Sequence, residues 1–274
     1  MKHTLGTLKL IFRRHQSGKT FLASQHFRLP LQVLTPFYSD SDGTAFVYLL
    51  NPSGGILQGD VLETDIVVEA GAKAFVTTPS ANKFYKMDEG HATLRNRITV
   101  ANNGVLEYMP EYNIPFAQSS VLQETDFDLD PGATLIAFDM IVPGRMEKGE
   151  FFEYDLYSSK VSIRVDGKLL AHEVAKIEPN RSNPRGIGIL DGRNIYGTVF
   201  LYQDELNSEL KEAISQVLNN NPCVEGGLTF LTKSLAVIKF LGDNLTDCQQ
   251  VVNEIWPICR KTMLGKDAVR MRKY

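Results

Sequence analysis

The stretch Asn51-Pro-Ser-Gly-Gly-Ile-Leu-Gln-Gly-Asp60 separates two runs that are typical of β-strands, Phe46 to Leu50 and Val61 to Val68. Three glycines fall within six of its residues, and these are Gly54, Gly55 and Gly59. Because glycine adopts positive φ and permits close backbone approach, they predict a shaped loop between the two strands. A phosphate-binding loop would continue with Lys and Ser or Thr and then a helix, whereas Asp60 and a strand pattern follow here. The stretch therefore predicts a structural loop rather than a phosphate site.

Alternation of apolar and polar residues predicts strands through residues 1–200. Along Val61 to Val68, for example, Leu62, Thr64, Ile66 and Val68 share one face. The same alternation recurs in the segments 94–100, 126–130 and 161–166, with turn dipeptides such as Asn-Gly and Asp-Gly between such runs. Helices do not alternate with these strands, which argues against a parallel doubly wound sheet. The pattern predicts antiparallel strands in sheets that each have one solvent-exposed face.

Two α-helices are predicted in the C-terminal third, near residues 205–218 and 247–263, because apolar residues recur there at helical spacing. Between them, Leu235 to Leu241 is almost entirely apolar and predicts a covered strand. We find no internal repeat or Pro/Ser-rich linker, so the sequence predicts a single β-rich domain over residues 1–274. The expected fold class is mainly β, with layered antiparallel strands.

Charge and composition exclude several classes of partner. The formal net charge is −3, and basic residues cluster only in the C-terminal tail, so a nucleic-acid partner is not predicted. An apolar leader and a membrane-spanning run are both missing, and we expect a cytoplasmic protein without membrane contact. Its three cysteines are far apart and predict neither a disulfide framework nor a zinc site.

No catalytic signature with a recognisable spacing occurs, and the histidines are not spaced as ligands of a metal site. Carboxylates are more suggestive: Asp60 follows the glycine loop, Asp139 ends an apolar run, Glu147 and Glu150 flank Lys148-Gly149, and Glu173 follows His172. One interpretation is structural: Arg145 pairs with one of them and Asp60 caps its own turn. The other is that together they line a wet passage that a divalent cation crosses without being held tightly.

Lys83, Tyr85 and Lys86 form a short basic and aromatic segment with two interpretations. It could bind an anion, or it could be a solvated edge strand on which lysines prevent misplaced strand pairing.

Four segments in this order resemble the urease accessory protein family UreD, which is called UreH in some bacteria. They are Asn51 to Asp60, Thr77 to Tyr85, Tyr108-Met-Pro110 with Ile114-Pro-Phe116, and Gly144-Arg145 with Gly149-Glu150. Trp256-Pro257 with Arg260 and Gly265 fits the C-terminal helix of that family, so the resemblance covers nearly the whole chain. The motif residues are Gly54, Gly55, Gly59, Thr77, Thr78, Lys83, Tyr85, Gly144 and Arg145.

The resemblance implies a non-enzymatic scaffold for urease maturation with a superhelical arrangement of strands and two helices. Such a scaffold binds the urease structural subunits and the helical accessory protein UreF, recruits the GTPase UreG through UreF, and lets nickel pass through an internal channel. Nickel in transit is then the only metal expected, with no stably bound cofactor. The carboxylates expected on its path are Asp60, Glu150 and Glu173. The chain departs from the family at Phe138-Asp139, where Glu is usual, and in the C-terminal ending Val269 to Tyr274.

Two other classes remain open from the residues alone: a β-rich enzyme with an undetected carboxylate site, and a ligand-binding β protein. A closed pocket with a perturbed carboxylate pair would favour the enzyme, and a single dry cavity would favour the ligand-binding protein. A through-going wet tunnel with exposed apolar patches would favour the scaffold.

Overall fold

The computed structural model describes residues 5–269 of the chain. Its strands are β1 (Leu5–Arg14), β2 (Thr20–Arg28), β3 (Gln32–Val33), β4 (Ala45–Leu50), β5 (Val61–Val68), β6 (Lys73–Thr77), β7 (Asn82–Phe84), β8 (Ala92–Val100), β9 (Val105–Met109), β10 (Asn113–Pro115), β11 (Ser120–Leu129), β12 (Thr134–Ile141), β13 (Leu156–Val165), β14 (Lys168–Ile177), β15 (Ile195–Tyr202), β16 (Val224–Phe230) and β17 (Leu235–Gly242). The helices are α1 (Glu209–Asn220) and α2 (Leu245–Cys259), and a π-helical turn at Arg260–Leu264 continues α2. The first four residues and the C-terminal ending from residue 270 lie outside the described part. No helix within that part is long and apolar enough to cross a membrane.

The strands form two layered sheets. A seven-stranded sheet has the order β14-β13-β11-β8-β5-β1-β2, and a ten-stranded sheet has the order β16-β17-β15-β12-β9-β6-β4-β3, with β7 and β10 attached beside β12. From β4 to β13 the chain passes repeatedly from one sheet to the other, because β5, β8 and β11 lie in the first sheet and β6, β9 and β12 in the second. The predicted mainly β fold, with superhelical, layered strands and two late helices, is confirmed.

Where the chain alternates between the two sheets, neighbouring strands within each sheet run parallel. The prediction of antiparallel strands is wrong for these strands. In the seven-stranded sheet β1, β5, β8, β11 and β13 run parallel, and in the ten-stranded sheet β4, β6, β9 and β12 do so. Antiparallel pairs occur towards the sheet ends, as in β1–β2, β13–β14 and β15–β17. Parallel neighbours need a crossover, which is usually a helix. Here a strand of the opposite sheet is the crossover, and the glycine loop carries the chain from β4 to β5.

The outer face of the seven-stranded sheet is charged in rows of alternating sign. Arg97 in β8 lies in register between Asp65 in β5 and Asp126 in β11. An Arg97 nitrogen lies 3.4 Å from Asp65, and an Arg164 nitrogen from β13 lies 2.9 Å from Asp126. Exposed pairs of this kind contribute only about 0.2–1 kcal/mol each. The rows therefore favour the observed register of the strands more than they stabilise the fold, and this face is the predicted wet face.

The ten-stranded sheet is covered on both faces, which corrects the expectation of one wet face for every sheet. The helices pack against its outer face through buried side chains such as Leu210, Ile214 and Val251. Helix α1 begins at Glu209, later than predicted, because the side chain of Asn207 accepts a hydrogen bond from the Glu209 backbone N–H at 2.8 Å. Helix α2 begins at Leu245, because Asn244 rather than a later residue caps it.

Candidate functional site

A cavity of about 310 Å³ lies between the two sheets. Its rim is formed by the glycine loop and by the segment from Thr78 to Lys83. Pro52, Gly54 and Lys83 on this rim are exposed, so the cavity opens to solvent there. The motifs at residues 51–60 and 77–85, which the sequence singled out separately, therefore meet around one opening.

A row of polar side chains crosses the apolar wall of this cavity. Thr64 in β5, Asn96 in β8 and Thr125 in β11 are direct neighbours in register, and all three line the cavity. Asn96 Nδ2 donates to Thr125 Oγ1 at 3.0 Å. Buried polar groups need such partners, since an unpaired group costs free energy. On their cavity faces β5 and β8 each show one polar residue and β11 shows two, Gln123 and Thr125. Parallel pairing brings Thr64, Asn96 and Thr125 together into one polar row.

Asp139 in β12 lies at the inner end of the cavity. Its Oδ1 accepts a hydrogen bond from Asn113 Nδ2 at 2.9 Å, and its Oδ2 accepts one from Ser159 Oγ at 3.1 Å. Asn113 is itself held by Asn82 Nδ2, which donates to Asn113 Oδ1 at 3.1 Å. Burial raises the pKa of Asp139, and the nearby charge of Glu173 adds to this effect. Asp139 is therefore a half-buried carboxyl group that its hydrogen-bond partners hold in place at the cavity surface.

A second, narrow cavity of about 10 Å³ continues beyond Asp139. It shares Asp139, Val161 and Phe200 with the larger cavity and reaches Glu173 and Thr198. Its volume corresponds to about one water molecule. Asp139 and Glu173 therefore both line the narrow cavity, which adjoins the larger one and is called the constriction below.

Glu173 in β14 closes the far end of the constriction. Tyr196 donates its hydroxyl to Glu173 Oε1, Thr198 Oγ1 donates to the same oxygen at 3.1 Å, and Lys239 Nζ lies 2.9 Å from Oε2. Burial and the hydrogen bond to Glu173 raise the pKa of Tyr196 to about 12. Burial is the largest single effect on Lys239 and lowers its pKa, but the hydrogen bonds and charges of Glu173 and Tyr196 together outweigh it, so the pKa of Lys239 is raised. The Lys239 side chain is 54% exposed, so the polar run reaches solvent here.

Asp60 and Glu150, the other two predicted path carboxylates, lie outside both cavities. Asp60 Oδ2 accepts a hydrogen bond from the backbone N–H of Leu57 at 2.9 Å, so it stabilises its own turn. Glu150 accepts from Arg145 Nε at 2.7 Å and from the Ala117 backbone N–H at 2.6 Å. Both arrangements match the structural interpretation given above.

The motif residues meet in an aromatic stack beside the cavity opening. The Tyr85 ring lies 4.9 Å from the Phe116 ring, and the Arg145 guanidinium lies 4.4 Å from Phe116 on the ring face. A Cβ placed on Gly55 would lie 2.0 Å from Tyr85 Cε2, so only glycine fits beneath this ring. Gly144 has a φ of 146° and places Arg145 next to Glu150.

The remaining motif residues have local roles in the backbone. Thr77 Oγ1 donates to the Met109 carbonyl at 2.5 Å, and Thr78 Oγ1 accepts from the Glu111 N–H at 2.9 Å. Gly54 and Gly59 have φ values of 79° and 74°, which favour glycine. These residues therefore shape the opening.

We expect Gly55→Ala to lower the free energy of unfolding by about 1–3 kcal/mol, the usual cost of overpacking. The methyl group displaces the Tyr85 ring and breaks its contact with Phe116. Urea denaturation measures this loss. Gly227→Ala is the matched control, because a Cβ at Gly227 has no heavy atom within 4 Å. If Gly55→Ala is no less stable than Gly227→Ala, the tight contact with Tyr85 does not exist in solution.

Sequence reasoning missed the roles of Asn113, Ser159 and Lys239. The only signal for them was a polar residue interrupting a largely apolar strand, as Lys239 does in β17. Within residues 5–269, no group of three or more His, Cys, Asp or Glu side chains is arranged to hold a metal ion. The carboxylates of the cavities therefore occur singly along the run.

Comparisons with known proteins find similar sequences over nearly the whole chain. A family model described as "UreD urease accessory protein" matches residues 5–274. A urease accessory protein UreD from Cenarchaeum symbiosum is 32% identical over 265 residues, covering 95% of this chain and 93% of that protein. UreD proteins of Haloarcula marismortui and Bacillus cereus are 31% and 27% identical, covering 98% and 100% of this chain and 90% and 100% of those proteins. The chain therefore belongs to the UreD family of urease accessory proteins.

Proposed function

We propose that this protein is a non-catalytic scaffold of urease maturation and that nickel crosses it between the two sheets. In this proposal it binds the urease structural subunits and UreF, and it engages the GTPase UreG through UreF. Family membership over nearly the whole chain supports the maturation role. The observation that carries the nickel route is the polar run from the cavity opening through Asp139 to Glu173.

The chemistry of the run suits a cation in transit. Its groups are hydroxyls, amides and two single carboxylates, which are hard ligands offered a few at a time. A cluster of imidazoles or thiolates would bind nickel tightly and release it slowly, whereas conduction needs sites that a cation also leaves easily. The proposed path carboxylates are therefore Asp139 and Glu173. Asp60 and Glu150, which the sequence also suggested, form local hydrogen bonds instead.

Exposed apolar side chains support a docking role. Leu57, Tyr85 and Phe151 are 54%, 39% and 40% exposed and lie on the segments that form the opening and its aromatic stack. A second group, Phe27, Leu29 and Leu34, lies on and after the edge strand β2. Apolar residues grouped on a surface commonly mark protein contacts. A partner on the first group would seal the opening and receive or deliver nickel there.

One observation favours the enzyme alternative. Asp139 has a raised pKa to which Glu173 contributes, and a perturbed carboxylate pair is typical of active sites. However, the oxygens of Glu173 are occupied by Tyr196, Thr198 and Lys239, which leaves it poorly placed as an acid or base. The accessory role of the family therefore agrees better with the site.

The decisive experiment is co-purification of the tagged chain from cells that express the urease subunits, UreF and UreG. We expect a co-eluting complex, and nickel-dependent urease activity that is lost in cells lacking this chain. If the chain neither joins a complex nor affects urease activity, the scaffold proposal is wrong.

A further inference from the structure

We propose that Lys239 is a tethered cation that closes the solvent-facing exit of the passage at Glu173 and must move aside before a divalent cation leaves. This inference rests on the proposed function, because it concerns the exit of the same run of polar groups. It adds a gate residue to the path.

The strand register places Lys239 at the end of the constriction. Asp139 in β12, Thr198 in β15 and Lys239 in β17 are consecutive neighbours across the ten-stranded sheet. Glu173 reaches this row from the opposite sheet, where it pairs with Val161 in register. The last groups before solvent are therefore one carboxylate and one ammonium, joined across the gap between the sheets.

The Lys239 ammonium occupies the position that a cation leaving the constriction would need. It lies 2.9 Å from Glu173 Oε2, while Tyr196 and Thr198 donate to Oε1. An arriving cation that binds Oε2 comes next to the Lys239 ammonium, and the repulsion between the two positive charges favours displacement of Lys239. The hydroxyl donors are on the sheet interior, whereas the Lys239 side chain is 54% exposed on a flexible stem.

The strength of this contact suits a gate. An ion pair with one partner in solvent is weak, so a divalent cation beside Glu173 competes with it effectively. Without cargo, the ammonium neutralises Glu173 and covers the exit. With cargo, Lys239 swings into solvent and leaves the carboxylate free.

The test is nickel binding by the full-length chain in complex with its accessory partners, measured by competition with a chromophoric chelator. Lys239→Met removes the tethered charge, and we expect it to bind Ni²⁺ about two- to fivefold more tightly than wild type. Lys239→Arg keeps the charge and should match wild type. In Lys239→Met with Glu173→Gln, the gain should disappear.

Lys160→Met is the matched control. Lys160 Nζ lies 3.2 Å from Glu124 Oε1 in a similar exposed ion pair, and neither residue lines a cavity. If Lys239→Met and Lys160→Met bind Ni²⁺ with the same affinity, the proposed gate is wrong. Lys239→Gln serves in its place if Lys239→Met does not fold. A merely structural lysine predicts weaker binding or none, which is the opposite sign.

Urease activation by Glu173→Gln separates this inference from the function on which it rests. If Glu173→Gln activates urease as wild type does, the passage through Glu173 is wrong, and the gate is overturned with it. If Glu173→Gln impairs activation but Lys239→Met leaves nickel binding unchanged, only the gate is wrong.

Discussion

Arg260→Met is expected to lower the free energy of unfolding by about 3–5 kcal/mol, the usual cost of breaking a buried ion pair. Arg260 is 0% exposed, donates to Asp40 through Nη2, and has its Nε 3.4 Å from Glu107 Oε2. Glu107 is 1% exposed and accepts a hydrogen bond from Trp256 Nε1 at 2.7 Å. Removing the guanidinium leaves these carboxylates buried with one cation fewer. Urea denaturation measures the loss.

Lys261→Met is the control for Arg260→Met. Lys261 is the next residue along the chain, but its pair with Asp267 is 68% and 90% exposed, and its loss should cost less than about 1 kcal/mol. Adding Glu107→Gln to Arg260→Met should restore part of the stability, because one of the uncompensated charges is removed. If Arg260→Met and Lys261→Met unfold at the same urea concentration, the ion pairs of Arg260 with Asp40 and Glu107 do not anchor the C-terminal helix as the structure indicates.

Asp139→Asn is expected to reduce nickel-dependent urease activation by about tenfold to a hundredfold, the range seen when groups around a metal site are changed. The same variant should be at least as stable as wild type at neutral pH. Burial raises the pKa of Asp139, so the folded protein holds this proton at a pH where the unfolded chain has lost it. Wild-type stability therefore falls as pH rises from about 4 to the folded-state pKa, and the amide removes that loss.

Two measurements check this prediction. Urea denaturation across pH 4 to 8 should show the stability of Asp139→Asn rising relative to wild type and then staying constant, and urease assays report activation. Asp126→Asn is the matched control on the outer charged face, where Asp126 pairs with Arg164 at 2.9 Å, and it should activate urease normally. Full activation by Asp139→Asn contradicts the proposed route. A loss of both stability and activation means that Asp139 is a structural residue.

Much of the local structure could be predicted from the sequence. The strand from Val61 to Val68 and the covered strand near Leu235 to Leu241 lie where their patterns placed them. Helix positions were right within a few residues, and their ends differed because Asn207 and Asn244 provide the first hydrogen bonds. Local patterns report local structure well, since periodicity and caps depend on neighbours along the chain.

The candidate site was predicted less completely. Glu173 was named as a carboxylate on the nickel path, which stays a prediction, and the structure places it at the narrow cavity, whereas Asp60 and Glu150 lie in local hydrogen bonds. Asp139 was noted among the suggestive carboxylates and as a departure from a family pattern but was not among the expected path residues, and Lys239 was not noted at all. Their strands, β12, β14 and β17, are distant along the chain, so nothing in the spacing of these residues indicates that they converge.

The sequence by itself determined that the protein is rich in strands, where its turns and late helices lie, and which family it resembles. Only the tertiary structure decided that the central strands are parallel and that the polar residues of successive strands form one row. Alternation with period two is the same in parallel and antiparallel strands, so it fixes the face of each side chain but not its neighbours. Pairing between distant strands sets those neighbours, and the polar row on the wall of the cavity is made of them.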